Sequence, residues 1–149
     1  MGDTFTNLVY HIVFSTKNRV PMIAGDFQER LYEYIGGIIR GQGGVLLEVG
    51  GVPDHIHLLA KLRPDCAVAV MVRVVKSNST GWWKTVQEPP RSFSWQNGYA
   101  GFTVSQSQIP AVRAYIRNQA AHHAKVSFRD ELVALLRKNG IEFEEKYLL

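Results

Sequence analysis

The order of apolar and polar positions predicts most of the elements of this chain. Thr4 to Thr16 (TFTNLVYHIVFST) is dense in β-branched and aromatic residues and predicts a long first strand. Lys17-Asn18-Arg19-Val20-Pro21 follows as a basic turn. From Gly25 to Gln42 the apolar residues Phe27, Leu31, Ile35, Ile38 and Ile39 recur at helical spacing, and Gly41, Gly43 and Gly44 close that helix. Val45 to Val49 predicts a second strand, Gly50 to Asp54 a tight connection, and His55 to Leu62 a third strand, so the second and third strands form a hairpin.

Arg63-Pro64-Asp65 opens a second helix with Asp65 as its N-cap, and Ala67, Val70, Met71, Val74 and Val75 line one face. The polar run Ser77 to Gly81 weakens the helical signal before Trp82-Trp83. Core or dimer packing outweighs base stacking for these tryptophans, because burial is the commoner use of aromatic area. Glu88-Pro89-Pro90 is a break. Phe93 to Trp95 and Gly98 to Ser105 predict a fourth strand, with a turn or bulge at Gln96-Asn97-Gly98. Ser107 is placed to cap a helix from Gln108 to about Lys125, with Pro110 in its first turn. Ser127-Phe128-Arg129-Asp130 starts a last helix, which ends near Asn139-Gly140, and Ile141 to Leu149 predicts an extended tail. Strand, helix, strand, strand, helix, strand is the ferredoxin-like βαββαβ plan of the α+β class. It is an antiparallel sheet with helices on one face, here followed by C-terminal helices. The other face of such a sheet is a platform on which nucleic acid can lie.

Composition narrows the function classes. At 149 residues, 46% of them hydrophobic, the chain suits one globular domain with a real core. No apolar run reaches membrane-spanning length and the N-terminus lacks a signal-peptide layout, so a cytoplasmic protein with no membrane partner is expected. Cys66 is the only cysteine, which excludes an internal disulfide and a cysteine-based zinc cluster. A net charge of +4 favours a polyanionic partner only mildly.

The candidate chemistry begins at His55-Ile56-His57. On a strand, residues i and i+2 point to one face, so the two imidazoles stand side by side while Ile56 and Leu58 enter a core. Two neutral imidazoles on a rigid surface make two-thirds of a metal site. His11 shares strand parity with Val9 and Val13, which suits a core or half-buried histidine. Farther along, Tyr115, Asn118, Gln119 and His122 occupy i, i+3, i+4 and i+7 and share one helical stripe. A divalent cation on His55, His57 and one further ligand would polarise a phosphodiester, and a phenol can attack phosphorus. Gln119 offers a neutral amide oxygen suited to Mg²⁺ or Mn²⁺ one turn from Tyr115, with His122 the runner-up. Lys17, Arg19, Arg73, Lys76, Arg113 and Arg117 are candidates for holding phosphates. An ordinary solvated surface accounts for them equally well.

These residues also carry a resemblance. Gly51-Val52-Pro53-Asp54-His55-Ile56-His57 looks like the HUH motif (histidine, bulky hydrophobic, histidine) of single-tyrosine HUH nucleases. Tyr10 to Arg19, Trp95 to Tyr99, Tyr115 to Gln119 with His122-His123, and Asn139 to Phe143 with Tyr147-Leu148 resemble two groups. These are the smallest bacterial insertion-sequence transposases and the REP-associated tyrosine transposases. The chain lacks the C-terminal extension of some REP-associated relatives, which leans toward the insertion-sequence type. The resemblance implies His55, His57 and Gln119 as metal ligands and Tyr115 as nucleophile. It implies cleavage and rejoining of single-stranded DNA at hairpin-marked ends through a 5′-phosphotyrosine link. It also implies a homodimer in which the tyrosine helix of one subunit can complete the site of the other. Two rivals stand beside this expectation: a ferredoxin-like module that binds hairpins without cutting them, and a phosphodiesterase that uses water, with Tyr115 structural.

Overall fold

The computed structural model describes residues 2–86 and 92–148, so the break expected at Glu88-Pro89-Pro90 lies outside the described residues. The elements are β1 (Leu8–Ser15), α1 (Asp26–Gly41), β2 (Val45–Val52), β3 (His55–Leu62), α2 (Val68–Val86), β4 (Ala100–Thr103), α3 (Ile109–Arg117), α4 (Gln119–His123) and α5 (Phe128–Lys138). The four strands form one sheet in the order β2-β3-β1-β4, with every pairing antiparallel. This is the βαββαβ arrangement expected from the sequence.

Strand alternation divides the core into two sides. Ile12, Phe14, Ile56, Leu58, Ala60 and Leu62 pack against Leu31, Ile35 and Ile39 of α1 and Met71, Val72, Val75 and Trp83 of α2. Each fully buried leucine or isoleucine here contributes roughly 1.5–3 kcal/mol. The opposite parity sends Val9, His11, Val13, His55, His57 and Leu59 to the other face, all of them buried. That face is no open platform. Ile116 of α3 packs on Val9, Leu59 and Val104, while Phe128, Leu132 and Leu136 of α5 pack on Val13, Ala100 and Phe102. The C-terminal helices thus roof the face that carries the two histidines.

Several boundaries differ from those expected. The first strand starts at Leu8, because pairing with β3 begins there and Phe5 is 88% exposed with no core to enter. Gly50, Gly51 and Val52 belong to β2, leaving Pro53-Asp54 as the turn. The second helix begins at Val68, and Asp65 pairs with Arg63 instead of capping it. That helix runs unbroken through Ser77 to Gly81. Ser79 and Thr80 turn their hydroxyls back onto the carbonyls of Val75 and Lys76, so their polarity is satisfied within the helix. Trp83 is buried and stacks on Phe93, and Trp82 stacks on Tyr34, as packing predicted. In the fourth strand region only Ala100–Thr103 forms a ladder, with Trp95 in an isolated bridge to Thr16. Ser107 does not cap the following helix, which is preceded by a 3-10 turn at Gln106–Gln108. The single helix expected over 108–125 is two helices, α3 and α4, parted at Asn118 where ψ is 18°. Ser127 does cap α5, its Oγ accepting the Asp130 N–H at 3.1 Å. Among the described residues, no helix is long and apolar enough to cross a membrane.

Candidate active site

His55 and His57 open β3, and their direction follows from strand alternation alone. The tyrosine helix reaches them because the strand opposite has no side chain in its way. Gly50 is the ladder partner of His57, and α3 crosses directly over it. A Cβ on Gly50 would lie 2.4 Å from the carbonyl oxygen of Ile116. Tyr115 is therefore seated at the level of His57, and the two rings lie edge to face with centroids 5.8 Å apart. Gln119, buried at the start of α4, brings its Oε1 to 3.3 Å from His55 Nε2. The three residues expected around the metal and the tyrosine expected beside them do converge.

Each imidazole is held from behind. Asp54 Oδ1 accepts from His55 Nδ1 at 2.7 Å, and the Val126 carbonyl accepts from His123 Nδ1 at 2.7 Å. Nδ1 of His57 is hydrogen-bonded to His11 Nε2 at 2.8 Å. Phe128 stacks on the His55 ring at 4.2 Å. All three histidines thus spend Nδ1 on an orienting partner and turn Nε2 to a common centre, as metal-binding histidines do. The ligand atoms of His55, His57, His123 and Glu131 lie within 4.8 Å of one another. This donor set fits a divalent cation. Imidazoles with a carboxylate suit transition ions better than Mg²⁺.

His123 and Glu131 have no place among the ligands expected from the sequence. Glu131 lies on α5, twelve residues beyond Gln119, with its side chain only 1% exposed. Its Oε1 is 3.0 Å from His57 Nε2, 3.0 Å from His123 Nε2 and 3.3 Å from His55 Nε2. Its Oε2 accepts from Gln119 Nε2 at 2.9 Å and from the Tyr115 hydroxyl. His122 Nε2 is 3.3 Å from the same oxygen yet makes no hydrogen bond, leaving a buried nitrogen without a hydrogen-bond partner. The sequence clue to Glu131 is an acid directly after Asp130, three residues past Phe128 and beside Leu132, on the apolar side of an amphipathic helix, where a buried carboxylate needs a reason.

The charges respond to this crowding. Burial alone would push the Glu131 carboxyl up, but the hydrogen bonds from His55 and His57 hold it far below the carboxylate range. Burial, reinforced by the Glu131 hydrogen bond, pushes the Tyr115 phenol well above its usual value. Burial lowers His57, and together with the neighbouring His57 it brings His11 down to about 3. For His55 burial is outweighed by hydrogen bonds to Asp54 and Glu131, and its value is raised.

The basic candidates scatter. Lys17 and Arg19 stand exposed on the 3-10 turn after β1, and Arg19 rims a cleft of about 570 Å³ that also touches Asp54, His123 and Phe128. Arg113 and Arg117 both pair with Glu48 of β2, at 3.4 and 2.8 Å, and so help tie α3 to the sheet. Lys76 donates to the carbonyls of Gln96 and Gly98, fixing the loop before β4. Arg73 is exposed on α2, which packs on the far side of the sheet from Tyr115. On the near side a crevice of about 590 Å³ runs along Tyr115, floored by Phe102 and Val104 and edged by Gln108, Lys138 and Asn139.

Known proteins share this fold. The chain is 24% identical over 117 residues to the ISDra2 transposase TnpA of Deinococcus radiodurans, covering 75% of this chain and 84% of that protein. A solved structure of a candidate transposase from Deinococcus radiodurans R1 superposes with a TM-score of 0.62 at 24% identity, covering 80% of this chain and 96% of that one. A REP-associated tyrosine transposase, solved bound to a REP hairpin, superposes with a TM-score of 0.62 at 15% identity, covering 85% and 76%. The family model of IS200-like transposases matches residues 4–119, from the approach to β1 through Gln119, and this chain belongs to that family.

Proposed function

We propose that this transposase cuts and rejoins single-stranded DNA at hairpin-marked ends, using Tyr115 as nucleophile and a divalent cation, Mg²⁺ or Mn²⁺, as cofactor. The observation that carries the proposal is the convergence of a phenol with imidazoles whose Nδ1 atoms are already engaged. Such a site is built for a cation next to a nucleophile. When bound, the cation polarises the phosphate and stabilises the departing 3′ oxygen.

His55 and His57 would hold that cation from the sheet, and Gln119 would offer its amide oxygen, which lies 3.3 Å from His55 Nε2. Asp54 and His11 fix the imidazole orientations. Tyr115 Oη attacks phosphorus as the P–O3′ bond breaks. The phenol gives up one proton and the 3′ oxygen takes one up. A 5′-phosphotyrosine and a free 3′ hydroxyl result, and the retained bond energy permits rejoining without a nucleotide cofactor. The crevice along Tyr115 gives the strand a way in. Arg19, beside the His123 cleft, is placed to meet a phosphate, and Lys17 on the same 3-10 turn adds positive charge there, whereas Arg113 and Arg117 are engaged by Glu48. A homodimer sharing the tyrosine helix between subunits belongs to the same proposal and rests on the family resemblance.

Strand polarity tests the chemistry. A hairpin-bearing oligonucleotide labelled at its 3′ end should leave its label on the protein after boiling in detergent, whereas a 5′ label should be released with the free 3′ hydroxyl fragment. Retention of the 5′ label, or cleavage without any retained label, would contradict the proposal.

A further inference from the structure

Among the described residues, Glu131 alone touches His55, His57, His122, His123, Gln119 and Tyr115 together. It stands on α5, beyond the residues that the family model matches. Its two oxygens are divided between two tasks. Oε1 faces the three histidine Nε2 atoms at 3.0–3.3 Å, and Oε2 faces the Gln119 amide and the Tyr115 hydroxyl. A buried carboxylate is costly to strip of water unless partners compensate. A leucine would fill this place in the α5 face without that cost.

We propose, building on the transferase reading above, that Glu131 is a joint between the metal and the nucleophile. Its Oε1 is an anionic ligand to the cation held by His55 and His57, and its Oε2 aims the Tyr115 hydroxyl at the same place. Carboxylates bind a cation through one oxygen while the other accepts a hydrogen bond, so both contacts can exist at once. Glu131 is then a positioning residue for Tyr115 and a ligand by the chemistry of its own oxygen. Charge drawn toward the cation weakens Oε2 as an acceptor, so filling the metal site changes the surroundings of the phenol. An anionic ligand among imidazoles also favours Mn²⁺ over Mg²⁺. α5 is therefore part of the catalytic machinery and not merely a cover for the sheet.

The test needs no DNA. Mn²⁺ is titrated into the full chain by calorimetry and by near-ultraviolet difference absorption, for the wild type, Tyr115→Phe, Glu131→Gln and Glu131→Asp. The wild type should show a metal-induced tyrosine band that Tyr115→Phe lacks. Glu131→Gln should bind Mn²⁺ at least about tenfold more weakly and show no band. Glu131→Asp keeps the charge but is one methylene shorter. It cannot span both contacts, and should bind Mn²⁺ while losing the band. Wild-type affinity in Glu131→Gln, or a wild-type band in Glu131→Asp, would overturn the proposal; should Glu131→Gln fail to fold, Glu131→Asp decides. A parallel adduct assay on hairpin DNA separates the two claims. Its failure in the wild type sinks the transferase reading, while the joint stands or falls on the titrations.

Discussion

Gly50→Ala is a one-carbon change that should disable the site without touching any functional side chain. The added Cβ would lie 2.4 Å from the Ile116 carbonyl oxygen, against the 3.4 Å at which ordinary contact begins. The difference, 3.4 minus 2.4, is about 1.0 Å. The obstacle is backbone, not the mobile end of a side chain, so α3 itself must retreat. Tyr115 is the adjacent residue and moves with it, while His55 and His57 stay on β3. A displacement of about 1 Å in a reacting group costs on the order of 10²-fold in rate. The overpacking should also cost roughly 1–3 kcal/mol of stability. That corresponds to a fall in Tm of about 2–4 °C per kcal/mol for a chain of this size. Adduct formation on hairpin single strands, followed with time at saturating Mn²⁺, should slow about a hundredfold while calorimetric Mn²⁺ affinity stays within a few-fold. Gly81→Ala is the control: nothing lies within 4 Å of its Cβ, and within α2 it should stabilise by up to about 1 kcal/mol without altering the rate. A Gly50→Ala protein with wild-type adduct kinetics would refute the claim that α3 sets the position of the nucleophile through this contact.

Other parts of the structure make further predictions. With metal removed by EDTA, acid should destabilise the fold. His11 refuses in the folded state, at about 3, a proton that the unfolded chain accepts near 6.5, so stability falls as pH drops through that window by up to about 1.4 kcal/mol per unit. Glu131, also depressed, adds loss of the same sign below the ordinary carboxylate value, whereas raised His55 contributes stability that disappears as pH climbs above 6.5. Urea melts at pH 7 and 5 check this, and a wild-type slope unchanged in His11→Gln would contradict the His11 contribution. Asp54→Asn weakens the anchor behind His55 Nδ1 and should lower Mn²⁺ affinity about 10–100-fold by calorimetry; unchanged affinity would remove Asp54 from the site. Ser127→Ala deletes the oxygen that accepts the Asp130 N–H and should lower thermal stability by about 1 kcal/mol, with no loss pointing to a cap that contributes nothing.

What was legible in the sequence and what was not have physical causes. The strand parity of His55 and His57 follows from the backbone, and β3 begins and ends where its apolar pattern does. The Tyr115–Gln119 spacing likewise placed both side chains on one side of the tyrosine region despite the break at Asn118. Ser79 and Thr80 misled because their hydroxyls found carbonyls within the helix, which composition cannot reveal. Gly50 and Gly51 suggested a turn, although here the missing side chains admit a crossing helix and a tight ladder. The roof over the histidine face was hidden for a different reason. Local patterns show that α5 has an apolar side, but not which surface that side covers. Glu131 was hidden with it: an acid on a helix is ordinary until long-range folding puts it among six polar side chains. The basic residues were the least legible. Charge is visible in sequence, whereas the engagement of Lys76 by two carbonyls and of Arg113 and Arg117 by Glu48 is tertiary.

The most direct test of the account is a denaturing gel of the protein incubated with labelled single-stranded DNA carrying the hairpins that flank its gene. Three samples suffice: wild type with Mn²⁺, wild type with EDTA, and Tyr115→Phe with Mn²⁺. The account predicts a protein–DNA band in the first lane and in neither of the others. Cleavage without that band would make water the nucleophile and Tyr115 structural, and hairpin binding with neither product would leave a recognition module in place of the enzyme.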